Sequence, residues 1–568
     1  MAQEAPSVAG WERGPGMTLA EALIGLQEAA GKARFPLPLP DAEANAQAAA
    51  ALAAQIRDYL APRAAKLDAP LLAVVGGSTG AGKSTLVNSL IGRAVTKPGV
   101  LRPTTKSPVL ICHPGDADWF RSEAVLPELT RAAVELPDSR ALRVVEAPEL
   151  PAGLALLDAP DVDSVDAGNR SLARQLLLAA DLWLFVTSAA RYADAVPWNL
   201  LREAAARDLY LAVVLNRCPP SSIGVVGPDL GRMLGAEGLG DAPLFALAET
   251  PLVEGMIPAA AVRPIRSWLG SLASRKEERA RVVRQSLVGT LRQADTIVEN
   301  LLGGVAAQRD AARELQEICD GAYATARSRI EAQISDGSLL RGEIVEHWHR
   351  AVGTSRILKG VDEAVAALRA RARRWVQAEP EARAVQVEIS DQLAGVLVAE
   401  AERAADETTQ VWRRTPWGRA VLADEPPRPE LSAQAATVVR SWQQDVLELV
   451  QEQGKGKRLR ARLLALGTNA LGATLMVAVF FSTGGLTGAE AGIAGGTSLL
   501  AQRVLESVFG AGAVERLARE ARELFLGRAA ALFADDRARF NERLAGFGPD
   551  DGGLPAAAER VRAAREAL

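Results

Sequence analysis

The sequence predicts a two-part architecture. An α/β domain with a mostly parallel sheet flanked by helices is followed by a long all-α bundle or stalk, which carries an apolar hairpin or membrane segment. Three observations predict it. Between residues 70 and 272, short apolar runs alternate with helix-like segments. After residue 275 apolar side chains recur every three or four positions and strand-like runs cease. Near the end, residues 463–489 contain no charged side chain.

Length and composition agree with this division. A chain of 568 residues exceeds a single core, so two or three domains are expected. With 65 basic against 69 acidic residues, the net charge of −4 gives no sign of a nucleic-acid partner. Cys112, Cys218 and Cys319 lie far apart with no C-x-x-C pair, which fits a reducing interior and argues against a disulfide framework or a zinc site. His347 and His349 are two apart, on different faces of a helix, and so make a poor metal pair. Residues 1–17 hold Glu4 and Glu12 and lack an apolar centre, so they are no secretory signal, and the bulk of the protein is expected in the cytoplasm or at the cytoplasmic face of the cell membrane.

In chain order, residues 1–69 carry two helical patterns. Leu19, Leu23 and Leu26 mark the first, and Leu52, Ile56 and Leu60 form a stripe on the second, over 41–66. Neither stripe is buried by its own helix. The C-terminal helices of 513–568, with Val514, Leu517, Ala521, Leu524, Leu532, Phe540 and Leu544 apolar, are the expected partners in a shared neck.

The α/β domain is expected over 70–272, with strands at 71–75, 108–112, 141–145, 154–157, 182–187, 210–215 and 243–247. Near-continuous apolar runs such as 182–186 are what strands buried on both faces look like. The stalk-like region is expected over 273–453, with Val283, Leu287, Leu291, Ala294, Val298 and Leu301 on one helical face. Breaks fall at Asp336-Gly337, at Pro380 and in 414–429.

Residues 454–512 form a basic and then apolar segment. GKGKRLRAR, at 454–462, has five cations and directly precedes the 27 uncharged positions, where about 20 suffice to cross a bilayer. Gly467, Gly472 and Ala473 permit close helix approach, and the cations suit anionic head groups. Two readings stand: insertion into a membrane, or a buried hairpin in a large core.

The chemistry is concentrated after the first strand. Gly77-Ser78-Thr79-Gly80-Ala81-Gly82-Lys83-Ser84 fits G-x-x-x-x-G-K-[ST] between an apolar run and an apolar helical pattern, the P-loop context. Glycines allow successive backbone N–H groups to face an anion, and the helix adds its positive end. The nucleotide-contacting set is therefore Gly77 to Ser84 with Thr85. Lys83 is expected at the β- and γ-phosphates, and Ser84 at Mg²⁺.

Downstream elements separate the P-loop classes. VLRPTTKSP, at 100–108, sits where a first switch belongs, and Thr105, with Thr104 as the second choice, is expected to bring a hydroxyl to Mg²⁺. LALLDAPDVDS, at 154–164, ends a strand in Asp158, the place of the carboxylate that holds Mg²⁺ through water. The Gly usual three residues later is Asp161 here; Asp161 and Asp163 either add to the metal site or solvate the loop. VVLNRCPP, at 213–220, is similar to the guanine motif N-K-x-D in Asn216, with Arg217 for Lys, while Pro219 stands where the Asp should accept from the base. That leaves GTP favoured and ATP not excluded. Ala248-Glu249-Thr250 is the nearest match to the S-A-K element.

With GGSTGAGKST, RPTT, DAPD and NRCP in hand, the chain resembles the TRAFAC-class GTPases, and among them the bacterial dynamin-like proteins of actinobacterial type. The motifs span 71–220; beyond them the likeness is one of helical layout. The resemblance implies a G domain, a neck joining N- and C-terminal helices, and a stalk whose tip touches lipid. It implies GTP hydrolysis with Mg²⁺, self-association through G domains and helices, and movement of the neck at a membrane. Such proteins use a P-loop Ser two positions before the Gly-Lys; here that position is Gly80, after Thr79. Two other functions fit the same residues: a soluble regulatory or assembly GTPase with a buried apolar hairpin, and a P-loop ATPase serving a membrane complex.

Overall fold

The computed structural model describes residues 18–96, 107–132, 141–162, 167–335, 379–423, 430–453, 474–479, 505–506 and 509–566. The chain divides into two compact units. The first takes in the described residues of Met1–Phe35, Pro40–Ala307 and Pro549–Leu568, and the second those of Pro36–Leu39 and Gln308–Gly548.

The first unit begins with helices α1 (Leu19–Lys32), α2 (Ala42–Gln55), a π-helical turn (Ile56–Leu60) and α3 (Ala61–Ala65). Then come β1 (Leu71–Gly77), α4 (Lys83–Ile91), β2 (Val109–Cys112), α5 (Ala117–Arg121), β3 (Thr130–Ala132), β4 (Ala141–Glu146), β5 (Leu154–Asp158), α6 (Ala167–Leu178), β6 (Leu182–Ser188), α7 (Ala195–Ala206), β7 (Tyr210–Cys218), α8 (Ile223–Ala236), β8 (Leu244–Ala248) and α9 (Ala259–Ser274). The helix α10 (Lys276–Ser335) follows.

The eight strands form one sheet in the order β3-β4-β2-β5-β1-β6-β7-β8. All pairings are parallel except β2 with β5. Seven of these strands overlap the expected ones. The eighth, β3, gives no apolar signal because Thr130, Arg131 and Ala132 are an exposed or half-buried edge. Alternation explains why the central runs are apolar throughout. Leu72 and Val74 enter one core while Leu71, Ala73 and Val75 enter the other, and Trp183 and Phe185 alternate likewise with Leu182, Leu184 and Val186. One face is covered by residues of α6, α7 and α8, such as Leu176, Trp198 and Leu230; the other by α4 and α9, through Leu86, Leu90, Ile265 and Leu269.

The helices of this unit share a separate core. Thr18 and Glu21 close a capping box at the start of α1. Leu23 and Leu26 of α1, the stripe Leu52, Ile56 and Leu60, and Leu287, Leu291, Ala294, Val298 and Leu301 of α10 are all buried together. Leu554, Ala557, Ala558 and Val561, from the helix Leu554–Arg565, complete the cluster. A buried ion pair joins helix to sheet: the Arg63 guanidinium donates to Asp181 Oδ2 and, at 2.9 Å, to Pro70 O. Asp181 Oδ2 also accepts the Leu72 N–H at 2.7 Å, and Ser286 Oγ donates to the Asp181 carbonyl at 3.0 Å.

The second unit is helical: the rest of α10, then Glu379–Trp412, Pro416–Leu422, Leu431–Gln453 and Ala511–Gly546. Leu393, Leu397, Trp412, Val446, Leu517 and Phe540 lie in its core, with Leu37 inserted from the proline-rich 36–39 segment. Gln308 fixes that segment, accepting the Leu37 N–H at 2.9 Å and donating to its carbonyl at 2.7 Å. Trp442 donates to Ala521 O at 2.7 Å and meets Phe525 edge-on, with centroids 5.2 Å apart.

Two expectations need correction. Of the C-terminal helices, only Leu554–Arg565 shares a core with Leu52, Ile56 and Leu60; Ala511–Gly546 belongs to the second unit's core. Leu524 is 38% exposed, and its neighbour Phe525 takes the interior place. A larger aromatic surface facing Trp442 removes more area from water. Among the described residues no helix is long and apolar enough to cross a membrane. The uncharged run 463–489 lies outside them except for 474–479, which is helical, with Leu475 to Val479 in the second unit's core.

Candidate nucleotide site

The P-loop joins β1 to α4, the strand–loop–helix arrangement its residues predict. Three glycines bend it with positive φ: Gly77 at 141°, Gly80 at 76° and Gly82 at 86°. At Gly77 a side chain has no room, and at Gly82 it would displace the Asn216 amide. A Cβ on Gly77 would lie 1.9 Å from Val186 O, and one on Gly82 would lie 2.7 Å from Asn216 Nδ2. Lys83 opens α4 with its side chain buried. Its Nζ donates to Gly77 O at 3.0 Å, to Ser78 O at 3.1 Å and to Asp161 Oδ1. Ser78, fully buried, has a hydroxyl with no hydrogen-bond partner among the described residues.

Asp158 ends β5, paired in register with Val75 of β1, and is 1% exposed. Neither carboxylate oxygen has a hydrogen bond of good geometry. Burial pushes the carboxyl up to about 6, while the nearby Ser84 hydroxyl, Lys83 cation and Thr96 hydroxyl favour the charged form and Asp161 opposes it. An orphaned carboxylate beside a serine hydroxyl is a hard-oxygen donor set that fits Mg²⁺. Ser84 and Asp158 would hold the ion; Thr104, Thr105 and Asp163 lie outside the described residues.

Asn88 braces the exit of α4. Its Oδ1 accepts from the N–H groups of Val95 and Thr96 at 2.9 Å each and from the Thr96 hydroxyl at 3.2 Å, while its amide donates to Thr96 O at 2.8 Å. The Thr96 hydroxyl also reaches Ser84 O at 3.3 Å.

Asn216 sits near the end of β7, buried, opposite Ser188 of β6. It donates to Ala81 O at 2.7 Å, so it ties the end of β7 to the loop between β1 and α4. Arg217 has φ 50°, and its Nε would come within 3.5 Å of a Cβ on Gly82. Pro219 is exposed. Ala248-Glu249-Thr250 lies alongside: Cys218 pairs with Ala248, and the Glu249 N–H donates to Cys218 O at 2.8 Å. Thr79 and Thr85 stay within the loop and the first turn of α4.

No family model matches the chain. An Arabidopsis thaliana protein described as a probable transmembrane GTPase FZO-like, chloroplastic, is 30% identical over 126 residues, which is 22% of this chain. The match spans only 13% of that relative's length. Two solved chains of an oligomerised bacterial dynamin pair, described as providing a mechanism for long-range sensing and tethering of membranes, also align. One covers 97% of this chain and 94% of its own at 11% identity and a TM-score of 0.37; the other covers 91% of each at 12% and 0.36. Over those 126 residues this chain is similar to an FZO-like GTPase.

Two features of the site escape sequence reasoning. The Asn88–Thr96 clasp had one signal, a lone amide inside the apolar run of α4. The pairing of Asp161 with Lys83, residues 78 apart, had none beyond the acid standing where glycine is usual.

Proposed function

We propose that this chain binds and hydrolyses GTP with Mg²⁺ and couples turnover to a conformational change at a membrane. The observation that carries the nucleotide reading is Lys83 at the first turn of α4, under a loop that three positive-φ glycines fold back, with the orphaned carboxylate of Asp158 beside it. In that reading the loop N–H groups from Gly77 to Ser84, with Thr85, cradle the phosphates, and Lys83 neutralises their charge. Ser84 and Asp158, with Thr105, hold the metal. Bound Mg²⁺ would supply neutralisation of charge developing on the phosphate oxygens. Asn216 keeps the loop in place through Ala81 O, and Arg217 covers Gly82.

Support for guanine comes from Asn216-Arg217 and from the FZO-like relative, described as a GTPase. Pro219 favours a second reading, an ATP site, because no carboxylate follows at the motif's last position. Support for the membrane part comes from the five cations before the uncharged run 463–489 and from that relative's description as a transmembrane protein. Self-association of G domains and helices, a neck built from 1–69 with the last helix, Leu554–Arg565, and peripheral residence at the cytoplasmic membrane face belong to the same proposal.

The test is turnover of GTP and ATP measured side by side, with and without liposomes containing anionic lipid. GTP turnover that Lys83→Ala abolishes is the expected result. Equal displacement of a fluorescent GTP analogue by ATP would replace guanine with a general purine site. Membrane coupling is lost if the full chain ignores liposomes as thoroughly as one lacking 462–502.

A further inference from the structure

We propose that Asp161 is a specificity-determining residue of the phosphate site: its carboxylate competes with the terminal phosphate of a nucleoside triphosphate for Lys83, and so sets the balance between tri- and diphosphate. The inference rests on the nucleotide reading above. A lysine ammonium has three N–H donors and no more. All three of Lys83 are engaged, by Gly77 O, Ser78 O and Asp161 Oδ1.

These three acceptors are not equally movable. Gly77 pairs with Val186 across β1 and β6, and Ser78 donates its N–H to Val186 O at 3.3 Å while its carbonyl accepts the Ala81 N–H at 3.2 Å, so both carbonyls sit on backbone held by main-chain hydrogen bonds. Asp161 lies three residues beyond the last residue of β5, on irregular backbone, with its side chain 19% exposed against 6% for Lys83. A phosphate oxygen that reaches Lys83 must therefore take the direction Asp161 holds. The displaced carboxylate stays tethered close by, next to a second acid at Asp158. Its negative charge falls most heavily on the outermost phosphate of a triphosphate, a group that a diphosphate lacks. A glycine, usual at this position, would exert neither effect.

The test measures dissociation constants for fluorescent GDP and a fluorescent non-hydrolysable GTP analogue, both with Mg²⁺, on the full chain and on Asp161→Asn, Asp161→Gly and Lys83→Ala. Circular dichroism confirms folding of each variant. Asparagine keeps the size and removes the charge, and a charge-assisted hydrogen bond outweighs a neutral one by enough to shift affinity about tenfold. Both Asp161 variants should bind the triphosphate about tenfold more tightly, with a smaller gain for GDP. Changes under about twofold for both nucleotides, in both variants, would make Asp161 a surface counter-ion only and overturn the proposal. Weaker Mg²⁺-dependent triphosphate binding would make it a metal-holding group and overturn it equally. If the parent binds and Lys83→Ala does not, a null result at Asp161 defeats this inference alone. If no form of the chain binds nucleotide, the underlying reading fails with it.

Discussion

Removing Arg63 tests whether the buried pair Arg63–Asp181 ties the first unit's helices to its sheet at a cost in intrinsic stability. Arg63 and Asp181 side chains are 5% and 0% exposed. The Asp181 carboxyl is raised above its ordinary value because burial outweighs the Arg63 cation, the Leu72 N–H and Tyr59, which all favour the charged form. Arg63→Met keeps the aliphatic stem and leaves the carboxylate buried with the Leu72 N–H, at 2.7 Å, and the nearby Tyr59 hydroxyl as its remaining favourable neighbours. Breaking a buried pair this way costs about 3–5 kcal/mol. In a unit of this size that lowers the melting temperature by roughly 10 °C.

The sign with pH follows from the same carboxyl. A folded-state pKa above the unfolded value means that ionisation costs stability, and the cost grows as pH rises from the unfolded pKa to the folded one. Without Arg63 the carboxyl rises further, so the deficit of the variant should be largest at pH 7.5 and shrink as pH falls. Arg63→Met combined with Asp181→Asn removes both charges and keeps an acceptor for Leu72, and should recover more than half of the loss. Urea unfolding at pH 7.5 and pH 5, with amide exchange at Leu72, measures all of this. A deficit under about 1 kcal/mol, or one that neither acid nor Asp181→Asn relieves, would refute the reasoning.

Other expectations follow from the site. Asn88→Ala strands the N–H groups of Val95 and Thr96 and should cost about 2–4 kcal/mol, with faster amide exchange at both residues. Gly77→Ala forces a Cβ to 1.9 Å from Val186 O and must part β1 from β6; the folded yield should collapse, and a parent-like melting temperature would mean the strands pair otherwise. Asp158→Ala should retain Mg²⁺-independent nucleotide binding and lose the increment that Mg²⁺ adds, read by titrating the metal against a fluorescent nucleotide.

The sheet was legible because burial on both faces writes itself as unbroken apolar runs, as in β1 and β6. The helical stripes were legible for the same reason, in period 3.6: Leu52, Ile56 and Leu60 are all 0% exposed. What lay beyond the pattern was choice of partner. A stripe says that a face is buried and not what buries it, so nothing local assigned Leu554–Arg565 to the core of α1 and Ala511–Gly546 to the core of the second unit. The reversed direction of β2 against β5 is likewise a property of topology, since side-chain alternation is the same in either sense. Within the site, motif spacing placed Lys83 and Asp158, but the identity of Lys83's third acceptor depends on how the chain beyond β5 folds back.

The 2.7 Å bond from Asn216 to Ala81 O, where a Cβ on Gly82 would press against the same amide, makes the end of β7 and the loop after β1 a single mechanical object. On the proposed nucleotide reading, whatever seats a purine at the end of β7 would also set the posture of the amides that meet the phosphates. The affinities of the two halves of a nucleotide are then not additive: a nucleoside and a polyphosphate, measured apart, should each bind more weakly than their share of the whole. Selectivity for the base would be read out at the phosphates, as a change in how well the triphosphate is held.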